Sequence, residues 1–167
     1  DSNLIEILKD INTNAQAAVK ACGMTGEYFS TNRGTRQGDP VSPNIFITVL
    51  ERVKDSIAED GAGVAINGTW INNLCFADDI DPIEEDPQRL EHTVNKLSSE
   101  AMRYGLTMNL GKTKTMVFGE NETDENITTQ GNILENVESF TYLGCTMTHD
   151  LDCKKEVTIR FAKAMTL

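Results

Sequence analysis

No apolar run in this 167-residue chain approaches the roughly 18–20 residues needed to cross a bilayer, which excludes a membrane-spanning helix. No charged-then-apolar leader opens it, so secretion is not expected. Cysteine and histidine are scarce. The four cysteines, at 22, 75, 145 and 153, form no CxxC pair, and only His92 and His149 could join them as zinc ligands. A zinc site and a disulfide framework are both set aside in favour of reduced, intracellular thiols. The Asn-x-Thr triplets at Asn67, Asn121 and Asn126 are chance matches without a secretory signal. Basic residues are also short: 15 Lys and Arg stand against 26 Asp and Glu, a net charge of −11. A surface that grips phosphates normally carries a basic face, so this balance by itself argues against nucleic-acid binding.

What remains is a globular composition. Hydrophobic residues make up 39%, too many for a disordered chain and enough for a core. The length suits one domain or a piece of a larger one. The start at Asp1 and the ending "FAKAMTL", a helix in mid-course, point to a segment of a longer protein.

Periodicity outlines the elements. Leu4, Ile5, Leu8 and Ile11 are spaced for an amphipathic helix. "AQAAVKACGMTGEYFSTN" reads as a hairpin turning around Met24-Thr25 between Gly23 and Gly26. "RGTRQGDPVSP" is a loop that feeds a helix, with Ser42 as N-cap, Pro43 at the first helical position, and Ile45, Phe46, Val49, Leu50, Val53 and Ile57 along one face. "GAG" at 61–63 ends that helix, and "GVAINGTWINNLCFA" gives two strands turning at Asn67-Gly68. The next helix starts with Asp86 as cap and Pro87 at its first position. It runs through Leu90, Val94, Leu97, Ala101 and Tyr104, and closes at Gly105. "LTMNL" and "KTKTMVFG" read as strands, 120–132 as an acidic loop, "ILENVESFTYLGCTMT" as a strand pair, and "CKKEVTIRFAKAM" as a final helix. Strands joined by turns imply antiparallel pairing. The fold class is α+β, an antiparallel sheet with helices packed on it.

The chemistry concentrates in "LCFADDIDPIEED", where an apolar strand runs into Asp78 and Asp79. Adjacent carboxylates repel unless a cation or donors sit between them. At a hairpin tip both can face one point, and hard divalent cations want such oxygen ligands. An acidic β-turn is the plainer reading of the pair alone. An EF-hand starting at Asp79 fails because Glu84 stands where glycine is required, and "GLTMNLGKT" misses P-loop spacing. Upstream, Arg33, Arg36 and Gln37 share a loop with Gly34 and Gly38, a composition that can hold a phosphate or sugar at a helix start.

Four motifs in order carry a resemblance over residues 33 to 148. "TRQGDPVSPNIFITVLERV" resembles the loop-helix motif of reverse transcriptases, usually Arg-Gln-Gly-x-Pro-Leu-Ser-Pro, with Val41 for leucine. "LCFADDI" resembles their aromatic-x-Asp-Asp hairpin. "YGLTMNLGKTKTMVFG" is similar to the next helix-strand motif, and "FTYLGCTMT" to the Tyr-Leu-Gly hairpin that contacts the primer. The details look most like the non-LTR, LINE-type branch.

The resemblance implies a polymerase palm: residues 1–148 a partial palm with 1–32 as lead-in helix and hairpin, and 149–167 the start of the following thumb or connection helix. Asp78 would hold a catalytic metal ion, Mg²⁺ with Mn²⁺ as a substitute, and Asp79 would lie beside it. Arg36 and Gln37 would face the nucleotide or template, with Gly38 allowing close packing. Phe76 and Ala77 would flank the primer end and the nucleotide sugar. Lys112 or Lys114 would approach the triphosphate as proton donor, and Tyr142, Leu143 and Gly144 would brace the primer. Metal bridged by carboxylates assists attack by the primer 3′-hydroxyl. The expected partners are an RNA template, a DNA primer and deoxynucleoside triphosphates, with no membrane, in an intracellular setting, cytoplasmic or nuclear.

Two departures qualify the implication. The family's site also needs an aspartate from an earlier strand, and 1–32 offers only Asp1 and Asp10, neither after an apolar strand. This chain alone is therefore expected to be inactive. Asp81-Pro82 interrupts a normally apolar strand, which must then be an edge or be distorted. Both departures suit a rival: a degenerate or domesticated palm that only binds. A small acidic Ca²⁺- or Mg²⁺-binding α+β protein is the other.

Overall fold

The structure is a computed structural model that describes residues 2–13, 15–31, 34–58, 62–119 and 126–165. Asp1, Arg33, Gly61 and residues 120–125 of the acidic 120–132 loop lie outside these residues. The chain falls into two compact units, residues 1–49 and 50–167. Among the described residues no helix is long and apolar enough to cross a membrane.

The first unit opens with helix α1 (Ser2–Asn12), as its apolar spacing predicts. The helix ends where side chains compete for its last carbonyls: Asn12 Nδ2 donates to Leu8, and Thr13 donates both its N–H and its hydroxyl to Lys9. Two nested antiparallel pairs follow, β1 (Gln16–Ala17) with β4 (Phe29–Ser30), and β2 (Lys20–Ala21) with β3 (Met24–Thr25). The predicted hairpin is present, but Met24 and Thr25 are strand. The turn is Cys22-Gly23, both with positive φ (51° and 78°), as a twisted two-residue turn requires and a glycine permits.

Helix α2 (Ser42–Asp55) begins in the first unit and ends in the second. Ser42 is not its N-cap. The first helical bond runs from Ile45 N–H to the Val41 carbonyl, while the Ser42 hydroxyl donates 2.7 Å to the Arg36 carbonyl. A Pro at 43 has no N–H to offer a cap, and the leading amide of Val41 is met by Asp39 Oδ1 at 2.9 Å.

In the second unit come β5 (Val64–Ile66), β6 (Thr69–Ile71), β7 (Asn73–Phe76), β8 (Asp79–Pro82), α3 (Pro87–Arg103), β9 (Lys114–Thr115), β10 (Thr128–Thr129), β11 (Asn132–Ile133), β12 (Glu135–Asn136), β13 (Ser139–Tyr142), β14 (Cys145–Thr148) and α4 (Lys154–Met165). Where two strands were predicted over "GVAINGTWINNLCFA", there are three, because Asn72 separates β6 from β7. Helix α3 has the predicted ends: the Asp86 carboxylate accepts from Gln88 N–H, and Gly105 follows with φ 75°.

The apolar stripe of α3 organises two small cores. Val53, Ile57 and Leu97 are buried together, with Ile80, Ala101 and Met108 against them. Val94, Ile127 and Leu134 form the second, with Leu90, Met108 and Leu110. Tyr104, predicted to continue the stripe, caps the helix and is exposed. "LTMNL" does alternate, and its inward residues Met108 and Leu110 reach the cores. It forms no ladder among the described residues, so it is extended chain and not strand. Likewise only Lys114–Thr115 of "KTKTMVFG" is strand. The class is α+β as expected, built from two-stranded pairs. One pair departs from antiparallel: β9 runs parallel to β12.

Candidate catalytic hairpin and its surroundings

Strands β7 and β8 pair in register Asn73↔Pro82, Leu74↔Asp81, Cys75↔Ile80 and Phe76↔Asp79, which leaves Ala77-Asp78 as a two-residue turn. Ala77 takes φ 52°, a left-handed conformation that glycine would adopt freely and alanine adopts under strain. Asp78 is the second turn residue and is exposed.

Register also assigns faces, since cross-strand partners share one. Cys75 and Ile80 lie on one face, and Ile80 packs on the Val53–Ile57–Leu97 core. The other face carries Leu74, Phe76, Asp79 and Asp81. Phe76 is 61% exposed. Side chains alternate in a strand, so the like-facing acids are Asp79 and Asp81, with Asp78 at the apex between the strands. Asp81 is the residue that the sequence reading left out of the site. The signal was there, two positions beyond Asp79. Burial and the neighbouring Asp79 charge raise its pKa above the ordinary carboxylate range.

Pro82 does not break this hairpin. Ile83 N–H donates to the Asn72 carbonyl at 2.8 Å, which makes Asn72 and Ile83 a bonded pair and Asn73 with Pro82 a non-bonded one. At that position an N–H would point away from β7, so proline removes nothing from the ladder. The acids that follow are structural. The Glu84 side chain is 2% exposed, accepts from Gly63 N–H at 3.0 Å, and lies 3.8 Å from Arg89 Nε. Asp86 caps α3.

Among the described residues neither Asp78 nor Asp79 meets a cation or a hydrogen-bond donor, and no group of three metal-ligating side chains assembles there. The exposed, uncompensated oxygens of Asp78 and Asp79 suit a hard divalent cation. Further side-chain ligands beside them are not found among the described residues. Asp10, the described candidate for the upstream acid, lies in helix α1.

Behind the hairpin, Cys75 donates its thiol 3.0 Å to Asn73 Oδ1. Burial pushes this thiol up, although the nearby Lys54 ammonium, itself bonded to Glu51 at 2.9 Å, pulls the other way.

The Tyr-Leu-Gly hairpin is β13–β14, paired from Ser139↔Thr148 to Tyr142↔Cys145 around Leu143-Gly144 (φ 48° and 80°). Desolvation raises the Tyr142 phenol pKa, and the negative charges of Asp81 and Asp79 raise it further, so the phenol lies within electrostatic reach of the catalytic hairpin. Helix α4 fastens β14 from behind: Glu156 accepts Thr146 N–H at 2.7 Å and pairs with Arg160. That backbone bond, then Arg160, holds the Glu156 carboxyl below its usual range. The two lysines differ. Lys114 pairs with Glu135 at 2.6 Å across β9–β12, while Lys112 lies in an exposed turn.

In the first unit the Arg36 guanidinium donates to the Ile11 carbonyl at the end of α1. Gln37 and Gly38 are exposed, and residues 35–40, Ser42, Pro43 and Phe46 line a cavity of about 510 Å³. A Cβ on Gly38 would meet nothing within 4 Å. The glycine supplies φ 89° and leaves the space beside it open.

Residues 2–147 match the model of the family described as reverse transcriptase (RNA-dependent DNA polymerase). The chain belongs to the reverse transcriptase family. It is 28% identical over 105 residues, 63% of its length, to the Retrovirus-related Pol polyprotein from type-1 retrotransposable element R2 of Nasonia vitripennis. It is 30% identical over 94 residues, 56% of its length, to the corresponding polyprotein from type-2 retrotransposable element R2DM of Drosophila melanogaster. Both relatives belong to the non-LTR branch that the motifs indicated. The chain spans about a tenth of the length of each, 10% and 9% respectively. Reverse transcriptases use divalent metal ions, and their substrates are a nucleic-acid template and nucleotides.

Proposed function

We propose that this chain is part of the palm of a retrotransposon reverse transcriptase. The whole protein would extend a DNA primer on an RNA template from deoxynucleoside triphosphates with Mg²⁺. One observation carries the reading: Asp78 and Asp79 stand uncompensated at the apex of a hairpin whose turn, Ala77-Asp78, is held in a strained conformation. Repulsion between two like charges needs a cation to offset it.

Asp78 and Asp79 would hold the ion, which would lower the barrier to attack by the primer 3′-hydroxyl. Phe76 and Ala77 would border the nucleotide sugar and primer end. Tyr142, Leu143 and Gly144 would brace the primer. Lys112, which has no ion pair among the described residues, is better placed than Lys114 to meet a triphosphate. Gln37 and Gly38, with Arg36 if it leaves the Ile11 carbonyl, would contact the nucleotide or template. Residues 1–148 would belong to the palm and 149–167 to the next element.

Primer extension by the longer protein tests this. Asp78→Asn should lower incorporation by on the order of 100-fold or more at saturating Mg²⁺, and Gln37→Ala should lower it less. An Asp78→Asn protein that extends primers at the normal rate would refute the reading. The 167-residue chain alone should synthesise nothing, for want of a third carboxylate.

A further inference from the structure

We propose that Trp70 is a stacking platform for a nucleobase of the strand held at the catalytic hairpin; the assignment rests on the polymerase reading. Trp70 is on β6 opposite Ala65, a partner too small to cover its ring, and it is 54% exposed. None of residues 64–71 is buried, so the β5–β6 hairpin gives nothing to the core and the fold does not explain an indole there.

The hairpin is nevertheless firmly set. Its tip is Asn67-Gly68, with φ 50° and 81°, the favoured residues for such a turn. Its base is Gly63, whose N–H is held by Glu84 and where a Cβ would fall 2.1 Å from the Ile71 carbonyl oxygen. A large aromatic ring on a rigid, uncovered hairpin is preorganised for a partner.

Charge and size say what that partner is. From Gly61 to Ala77 the sequence has no charged residue, in a chain of net charge −11. The hairpin therefore presents none of the acids that repel phosphates elsewhere. A stable protein interface buries about 800 Å² on each side, whereas one tryptophan offers about 150–250 Å². That area suits a single base, and stacking on a π-face needs no charge. Reach is sufficient too. Trp70 and Asp78 are eight steps apart along the chain, so the two are at most about 29 Å apart, and a bound strand covers that span in about eight or nine nucleotides.

Trp70 is the only tryptophan, so its emission reports on this site alone. The 167-residue chain is titrated with short single-stranded DNA and RNA oligonucleotides. Binding is read by anisotropy of a labelled oligonucleotide, and stacking by Trp70 emission with an unlabelled one. The expected result is quenching that tracks binding, with affinity weakened about fivefold to about 100-fold in Trp70→Ala and less in Trp70→Phe, which keeps a ring. Stronger quenching by DNA assigns the base to the primer, and by RNA to the template. Oligonucleotide binding with unchanged emission and an unaffected Trp70→Ala variant overturns the platform and leaves the polymerase reading standing. A concentration-dependent dimer dissolved by Trp70→Ala, with no quenching, overturns it in favour of a second copy of the chain. No anisotropy change with either oligonucleotide overturns the platform, while the polymerase reading stands or falls separately on primer extension by the longer protein.

Discussion

Hairpins β7–β8 and β13–β14 each pair two four-residue strands around a two-residue turn, and they are held in opposite ways. The Asp78-Asp79 hairpin rests on an apolar contact, Ile80 against Val53, Ile57 and Leu97. Its outward acids are uncompensated, and Asp81 is pushed toward its neutral form. The Tyr-Leu-Gly hairpin is tied down by polar bonds, with Glu156 of α4 accepting the Thr146 amide and His149 N–H continuing the ladder to the Glu138 carbonyl. There the carboxylate is stabilised in its charged form. One hairpin presents carboxylates without a partner among the described residues, while the carboxylate that holds the other is already paired. Both differ from the Asn67-Gly68 hairpin in placing a non-glycine, non-asparagine residue, Ala77 or Leu143, in a left-handed conformation. Strain of this kind persists where surrounding structure over-determines the turn.

The comparison breaks most readily at the apolar support. Leu97→Ala, at a residue 6% exposed, should cost about 2–5 kcal/mol in denaturant unfolding, because the cavity opens under Ile80. Less severe is Glu156→Gln, which should lower the melting temperature at neutral pH and flatten the acid limb. The carboxyl is held below its ordinary value of 4.5, so its contribution is present above that pH and is lost as pH falls through the folded-state pKa.

Asp81 should show the opposite sign. Its folded-state pKa lies above its ordinary value of 3.8, so its ionisation erodes stability as pH rises through that window. Asp81→Asn should remove that erosion, visible as a higher melting temperature relative to wild type at neutral pH than at about pH 3. A variant that melts with an unchanged pH profile would show that Asp81 is not desolvated in the fold. The smallest effects belong to the turns. Ala77→Gly and Leu143→Asn should each stabilise by up to about 1 kcal/mol in denaturant titrations, by relieving positive φ. If the strain at Ala77 serves the site, Ala77→Gly should also slow primer extension in the longer protein.

Much of this was legible along the chain. Helices α1, α3 and α4 follow from apolar spacing, and the Asp86 cap with Gly105 closing follows from local chemistry that needs no distant partner. The two-residue turns at Ala77-Asp78 and Leu143-Gly144 fall inside the motifs that suggested them. Other features were hidden. Ser42 looked like a cap, but its hydroxyl is drawn to the Arg36 carbonyl. "LTMNL" alternates like a strand but has no ladder partner among the described residues, and β9 joins β12 in parallel across 19 intervening residues. Arg36 offered a phosphate-binding charge, and the structure turns it onto the end of α1.

By itself the sequence determined the family, the ends of α3 and the pair of acids at a turn, because propensity, capping and two-residue turn chemistry act over a few neighbouring residues. Tertiary structure decided which acids share a face, why Pro82 is harmless, that Glu84 and Glu156 serve backbone amides, and that Trp70 stays uncovered. Each of these depends on which strand or helix comes to lie opposite, and that pairing is set by burial and register over distances that no local pattern encodes.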